Sequence, residues 1–466
     1  MKNALLVLYC ACCIGLNAQT VAFKNVNVIP MDGDYVRSLQ TVLVENGVIT
    51  QLGEVSEIKI PRQAKIIDGT GKYLMPGLMD MHAHFFTEQG ISPKYLPQET
   101  KLMLANGVTT ARIMCGDSQY LALKKQLDQG RIPGPELVVV SPQLVGKWPF
   151  QGPFFGVIAD TPEKARAAVR KFKAQGYAAL KITFFVQPDV YDAAIETAQA
   201  VGLPVTGHVG PDVGLSRALA AGQQIEHLDE FLEQLLPDTV KQRISVSGTS
   251  VWDKKKAWPT VDLLDVSKIP ALVQRVKKAG ISVTPTHYFL HSSFGYGQSE
   301  DSIRALPDFD YIPASLKPDR FKAREFFWTD PPPEALRKRY ISLRQHLTRA
   351  LYTAGVPLLC GSDSPEWFLV SGFSVHNELQ AMVDAGLPPF AALETATVNP
   401  ARYLGMDEQK GTIAVGKDAD LLLLAANPLD DIANTRQIEG VFHQGKFYDR
   451  KTLDKLLKEA RILGKQ

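Results

Sequence analysis

The sequence predicts an α/β fold: a (β/α)₈ barrel carrying a small β-sandwich domain formed from the N- and C-terminal segments. Three observations predict it. A phrase of helix end, glycine and apolar strand repeats through the middle of the chain, metal-ligating residue types close those strands, and both flanks alternate polar and apolar residues between turns. The 466 residues suit one large barrel with a smaller accessory domain. A hydrophobic share of 45% is enough for a substantial core. Lys+Arg at 51 against Asp+Glu at 49 leaves a formal charge of +2, which supports neither nucleic-acid binding nor a polybasic membrane patch.

The first residues stand apart. Met1-Lys2 is followed by the apolar run Ala4 to Leu16 and the polar Asn17-Ala18-Gln19. The run falls short of the ~20 residues a bilayer span needs. It reads as a secretory signal peptide over residues 1–18, placing the protein in a periplasm or outside the cell, with no stable membrane span. Three of the five cysteines leave with it, and Cys115 and Cys360 cannot make a disulfide framework.

Residues 19–74 alternate as β-strands do, with a bend at Glu45-Asn46-Gly47, and 409–466 repeat the pattern in GTIAVGKDADLLLL and VFHQGKFY. These two segments form the β-sandwich domain, and 75–408 form the barrel. Strand one is GLMDMHAHF at 77–85, strand two follows Gly107, and strand three is LVVVS at 137–141. Strands four to eight follow Gly176, Gly202, Gly222, Gly280 and Gly355. A glycine just past a helix end takes the left-handed conformation that closes it. Short continuous apolar runs suit strands buried on both faces. The stretches 231–280 and 287–345 exceed what loops need and belong above strands six and seven, where lids and pockets form.

Strand one ends in His82-Ala83-His84, strand four carries Lys181, strand five ends in His208, strand six in His227 and strand eight in Asp363. Residues i and i+2 of a strand share a face, so His82 and His84 point together into the barrel mouth. Active sites in such barrels form at the C-terminal strand ends. Singly, each residue has a plain structural reading. An H-x-H pair is a weak motif, a histidine closing a buried strand is usually a hydrogen-bonded core residue, and Asp363 in Gly361-Ser362-Asp363 suits a helix cap. Lys181 resists such a reading, because an unpaired buried ammonium is costly. Six such residues at matching ends of one repeat point to a metal centre. Nitrogen and oxygen ligands without a thiolate suit Zn²⁺, with Mn²⁺, Fe²⁺ or Co²⁺ as other occupants. The neutral amine of Lys181 captures CO₂ as a carbamate, which bridges two cations as a carboxylate would.

These segments resemble the amidohydrolase superfamily, in its imidazolonepropionase-like and Xaa-Pro dipeptidase-like branch. The resemblance covers nearly the whole mature chain. It is carried by MPGLMDMHAHF, GVTTAR, LKIT, TGHVG, IEHLDE, GSDSP, ATVNPARYLGM and GTIAVGKDADLLLL. It implies one ion on His82, His84 and Asp363, a second on His208 and His227, and carboxylated Lys181 with a hydroxide between them. It also implies hydrolysis of an amide, peptide-like or N-acyl amino acid, and less readily of an ester or lactone. Asp363 would then serve as general base and general acid. Homo-oligomers are common in the superfamily, so a second copy joins the small-molecule substrate as an expected partner.

Departures from the pattern, Ile113-Met114 after Arg112 and Phe85-Phe86 after H-x-H, touch the pocket and spare the metal set. Tyr288, after strand seven, is the candidate for hydrogen-bonding the substrate carbonyl. Trp148, Phe150, Phe154 and Phe155 form either a pocket wall or a loop anchor, and His346, His376 and His443 read as structural. Two other classes compete. A mononuclear cyclic amide hydrolase or deaminase has no need of Lys181, and a non-catalytic relative would be expected to have lost ligands.

Overall fold

Alternation at the start of the chain is realised as β1 (Thr20–Val28), β2 (Arg37–Glu45), β3 (Val48–Glu54), β4 (Lys65–Asp68) and β5 (Tyr73–Pro76). The computed structural model describes residues 20–146, 156–241, 258–294, 299–328 and 332–466. The segment read as a signal and the cluster of Trp148, Phe150, Phe154 and Phe155 lie outside the described residues. Asn46 and Gly47, with φ 56° and 81°, make the turn between β2 and β3, both central residues in the left-handed region that such a hairpin requires.

The middle of the chain supplies β6 (Leu78–Ala83), β7 (Val108–Ile113), β8 (Glu136–Val139), β9 (Gln143–Val145), β10 (Gly156–Ile158), β11 (Leu180–Ile182), β12 (Val205–Gly207), β13 (Gln224–Glu226) and β14 (Val283–Thr284). The end adds β15 (Leu421–Leu424), β16 (Ile438–His443) and β17 (Lys446–Asp449). One mixed sheet runs β17-β16-β15-β5-β1-β2-β3, with β4 on β1, so strands from both ends of the chain share it. Val21, Phe23, Val42, Val44, Leu421, Leu423 and Phe442 build its own apolar core. The closing helix Arg450–Ala460 belongs elsewhere: Leu453 and Leu456 join the larger core of the middle segment, and Lys101 Nζ lies 2.7 Å from Glu459 Oε2.

The middle strands are parallel, as continuous apolar runs separated by helices require. They form two sheets, β6-β7-β8 and β10-β9-β11-β12-β13-β14, where one ring of eight continuous strands was expected. The additional β9 and β10 come from the stretch after strand three. Backbone bonds cross both gaps. Ala178 N donates to Val139 O at 2.9 Å, and on the other side Leu359 N donates to Val283 O at 2.9 Å and Asp363 N to His82 O at 2.7 Å. Residues 357–364 thus lie between β14 and β6, but only isolated bridges form there. Asp363, at φ 56°, interrupts the extended backbone that a longer ladder needs. The repeated glycine acts as expected: Thr161 caps the helix Pro162–Gln175 at one end, and Gly176 closes it with φ 87°.

Candidate metal centre

The parallel strands end on one cluster of rings. His82 lies in the last residues of β6, and His84 just beyond it; their ring centroids are 5.3 Å apart. His208 follows β12, and His227 follows β13, with centroids 4.9 Å apart and planes within 15°. His82 and His227 close the group at 4.6 Å. Asp363 reaches into it from between β14 and β6: Oδ1 is 3.4 Å from His82 Nε2 and 3.2 Å from His84 Nε2, and Oδ2 is 3.7 Å from His227 Nδ1. One ligand atom each from His82, His227 and Asp363 lies within 4.8 Å of the others. Lys181, in the middle of β11, is buried, and its Nζ has no hydrogen-bond partner.

Each imidazole has its Nδ1 committed to an oxygen. His82 Nδ1 meets Glu226 Oε2 at 2.7 Å, His84 Nδ1 meets Glu88 Oε2 at 2.9 Å, His208 Nδ1 meets Asp229 Oδ2 at 2.9 Å and His227 Nδ1 meets Thr286 Oγ1 at 2.7 Å. A ring whose Nδ1–H is held by an oxygen presents a lone pair on Nε2, the arrangement found behind metal-bound histidines. Glu226 is itself anchored, by Arg112 Nη2 at 2.8 Å and Thr206 Oγ1 at 2.6 Å. Asp80 ties β6 to the Asp363 segment, accepting from His82 N at 3.2 Å and Ser362 Oγ at 2.6 Å.

The electrostatics favour neutral rings and charged oxygens. Burial pushes His82 down to about 4, and burial again holds His208 and His227 well below the ordinary histidine range. His84 differs: burial opposes its charge, but Glu88 and Asp363 outweigh that and lift it to about 10. Burial would raise Asp363, yet the neighbouring His82 and His227 hold its carboxyl well below the usual carboxylate range. Burial also lowers Lys181, favouring the free amine. Two orphaned buried nitrogens, Lys181 Nζ and His82 Nε2, together with this donor set, fit divalent cations. Backbone strain marks the same place, since His227 at φ 58° and Asp363 at φ 56° each sit where a non-glycine residue costs about 1–3 kcal/mol.

Above the rings opens a cavity of about 500 Å³, lined by the four histidines and Asp363 together with side chains that include Glu88, Asp229, Glu366, Arg344, Phe184, Phe289, Leu290 and Trp367. Tyr288 is not among the lining residues. The segment after β14 is helical, His287–Phe294, so successive side chains turn by about 100°. Phe289 and Leu290 face the cavity, while Tyr288 feels the charges of Asp308 and Arg436. His376 bonds to Thr435 and Asn106, and His443 to Asp420, both away from the rings, and His346 is exposed. Sequence reasoning missed Glu88, Glu226, Asp229 and Thr286. The signal for two of them was present, since Glu226 and Asp229 flank His227 within IEHLDE.

Known proteins match this architecture. A family model described as the amidohydrolase family matches residues 73–448. Among curated relatives, ochratoxinase from Aspergillus niger is 23% identical over 480 aligned positions, covering 90% of this chain and 84% of that one. Imidazolonepropionase from Thermoplasma volcanium is 32% identical, over 22% of this chain and 26% of its own length. Among solved structures, a putative prolidase from Bifidobacterium longum superposes with a TM-score of 0.67 at 24% identity, covering 95% of this chain and 99% of that one. A bottromycin amidohydrolase gives 0.70 at 23% identity, covering 96% and 90%. The chain belongs to the amidohydrolase family.

Proposed function

We propose that this amidohydrolase cleaves the amide bond of a peptide-like or N-acyl amino acid substrate at a binuclear metal centre held by His82, His84, Lys181, His208, His227 and Asp363. The observation that carries the reading is the convergence of the four rings on one cluster with every Nδ1 committed to an oxygen, which leaves each Nε2 for an ion, on His84 in exchange for its proton. Two divalent cations, zinc first, would supply Lewis acidity, lowering the pKa of a water and polarising the scissile carbonyl. Lys181, whose ammonium is disfavoured by burial, would help hold them as a carbamate formed with CO₂. Asp363, kept ionised by the surrounding rings, takes the proton of the attacking water and delivers it to the leaving nitrogen. The cavity walls would orient the substrate above the rings.

The bottromycin amidohydrolase and the prolidase from Bifidobacterium longum carry names that fit amide chemistry, which supports the same class. The compact trio of His82, His227 and Asp363 would also suit a single ion, as a mononuclear cyclic amide hydrolase or deaminase requires. The buried Lys181, which a single ion does not need, favours two. The two parallel sheets are read as the wall of one (β/α)₈ barrel over residues 75–408. A β-sandwich domain from 19–74 and 409–466 would flank it, and the apolar run at 4–16 would direct export to a periplasm or beyond.

The test is hydrolysis of a panel of dipeptides and N-acyl amino acids by the zinc-loaded enzyme. Amide cleavage is expected, and Asp363→Asn is expected to lower kcat by about 10²–10⁴-fold. Turnover confined to cyclic amides, or release of ammonia from an aminated ring, would replace this reading by the mononuclear one.

A further inference from the structure

The cavity over the rings is built from two kinds of surface. Phe184, just past β11, lies against the His208 ring with centroids 4.0 Å apart, and Phe289 lies 6.0 Å from the His227 ring. Leu290 and Trp367 line the same space, Trp367 with a left-handed φ of 48° on the segment after Asp363. These side chains come from three separate parts of the chain, so the apolar surface is not the face of one element.

The polar lining is mostly committed. Glu88 is bonded to His84, Asp229 to His208, and Asp363 stands among the rings. Gln143 Nε2 lies 3.3 Å from Cys115 Sγ. Arg344 is buried, with Nη2 donating to His227 O and Pro285 O. Among the described lining residues, Glu366 remains as the carboxylate with the weakest contact, 3.5 Å from Gln89 Nε2. A substrate therefore finds polar partners at the reaction centre and apolar surface beside it. Apolar surface in a cleft is stabilised when an apolar group displaces its water, and aromatic rings pack against one another edge-to-face or offset. An acidic side chain in that space would meet Glu366.

We infer that Phe184, Phe289, Leu290 and Trp367 form a subsite for a large apolar side chain of the substrate, an aromatic one above all. The inference rests on the amide-hydrolase reading and narrows its substrate to amides of aromatic or bulky aliphatic amino acids. Small or charged neighbours of the scissile bond leave the wall wet or place a charge against it.

The test compares kcat/KM of the zinc-loaded full chain for Ala-Ala, Phe-Ala, Ala-Phe, Ala-Lys and Ala-Glu. One of the two phenylalanine dipeptides is expected to exceed Ala-Ala by about 10- to 100-fold, the discrimination that burial of one large apolar side chain gives. Phe289→Ala is expected to lower kcat/KM for that dipeptide at least tenfold more than for Ala-Ala, with Phe289→Leu in between. If Phe289→Ala fails to fold, Leu290→Ala makes the same comparison. Equal or higher kcat/KM for Ala-Ala, Ala-Lys or Ala-Glu would overturn the subsite. Absence of hydrolysis across all five counts against the amide-hydrolase reading alone. The subsite is then judged by calorimetric binding of N-acetylphenylalaninamide against N-acetylglycinamide, where tighter binding of the former supports it and equal binding overturns it.

Discussion

Glu226 Oε2 lies 2.7 Å from His82 Nδ1, and its other oxygen accepts from Arg112 Nη2 at 2.8 Å, so one buried carboxylate joins a candidate ligand to a buried cation. Arg112 and His82 hold this carboxyl well below its ordinary range despite burial. Glu226→Gln removes the charge while keeping the shape. Metal affinity, followed by titration with zinc, is expected to fall by about 10- to 100-fold, and stability by about 3–5 kcal/mol because Arg112 is left uncompensated. An unchanged affinity would mean that Glu226 does not orient His82.

Arg344 Nη2 donates to His227 O at 2.8 Å and to Pro285 O at 3.0 Å, holding the strained backbone on which His227 is carried. Arg344→Met is expected to cost about 2–3 kcal/mol in denaturant unfolding and to weaken zinc binding. Arg344→Lys should not restore the parent, since the lysine ammonium ends one bond short of the Nη2 that donates to both carbonyls.

Gly361 sits where no side chain fits. A Cβ there would stand 2.6 Å from His82 Cβ and 2.5 Å from Thr284 Cγ2. Gly361→Ala is expected to destabilise by about 1–3 kcal/mol and to lower metal content by displacing His82. Normal metal content at normal stability would contradict this.

His82 and His84 contribute to the stability of the chelator-treated protein a pH-dependent part that is largest near the ordinary histidine pKa of 6.5. His82 stays neutral in the fold down to about 4, so as pH falls from 6.5 the unfolded chain takes up the proton first and stability drops. His84, raised to about 10, contributes stability in full below 6.5 and loses it as pH rises toward 10. The melting temperature of the parent relative to His84→Gln should therefore fall as pH rises from 6.5 toward 10. Added zinc should flatten the alkaline side, because a cation on His84 replaces the proton; an alkaline side indifferent to zinc would argue against His84 as a ligand.

The strand ends were legible because short continuous apolar runs, most of them following a glycine at a helix end, locate them without any tertiary information. His82, His84, Lys181, His208, His227 and Asp363 are brought toward one cluster for that reason. Glu226 stands within IEHLDE but was passed over, since alternation puts it on the face opposite His227. The left-handed φ of His227 overrides alternation and turns the ring toward the cluster that Glu226 already serves. Tyr288 lies outside the cavity lining because the segment after β14 is helical and aims its neighbours Phe289 and Leu290 at the cavity. β9 and β10 were missed because three-residue strands carry too little pattern to separate from loop.

The most direct test of the central claim is the metal content per chain of protein purified with bicarbonate present, measured alongside Lys181→Ala. The account predicts about two ions in the parent and about one or none in the variant, as a lysine-bridged pair requires. One ion in both would contradict it, leaving Lys181 a structural residue and the enzyme mononuclear.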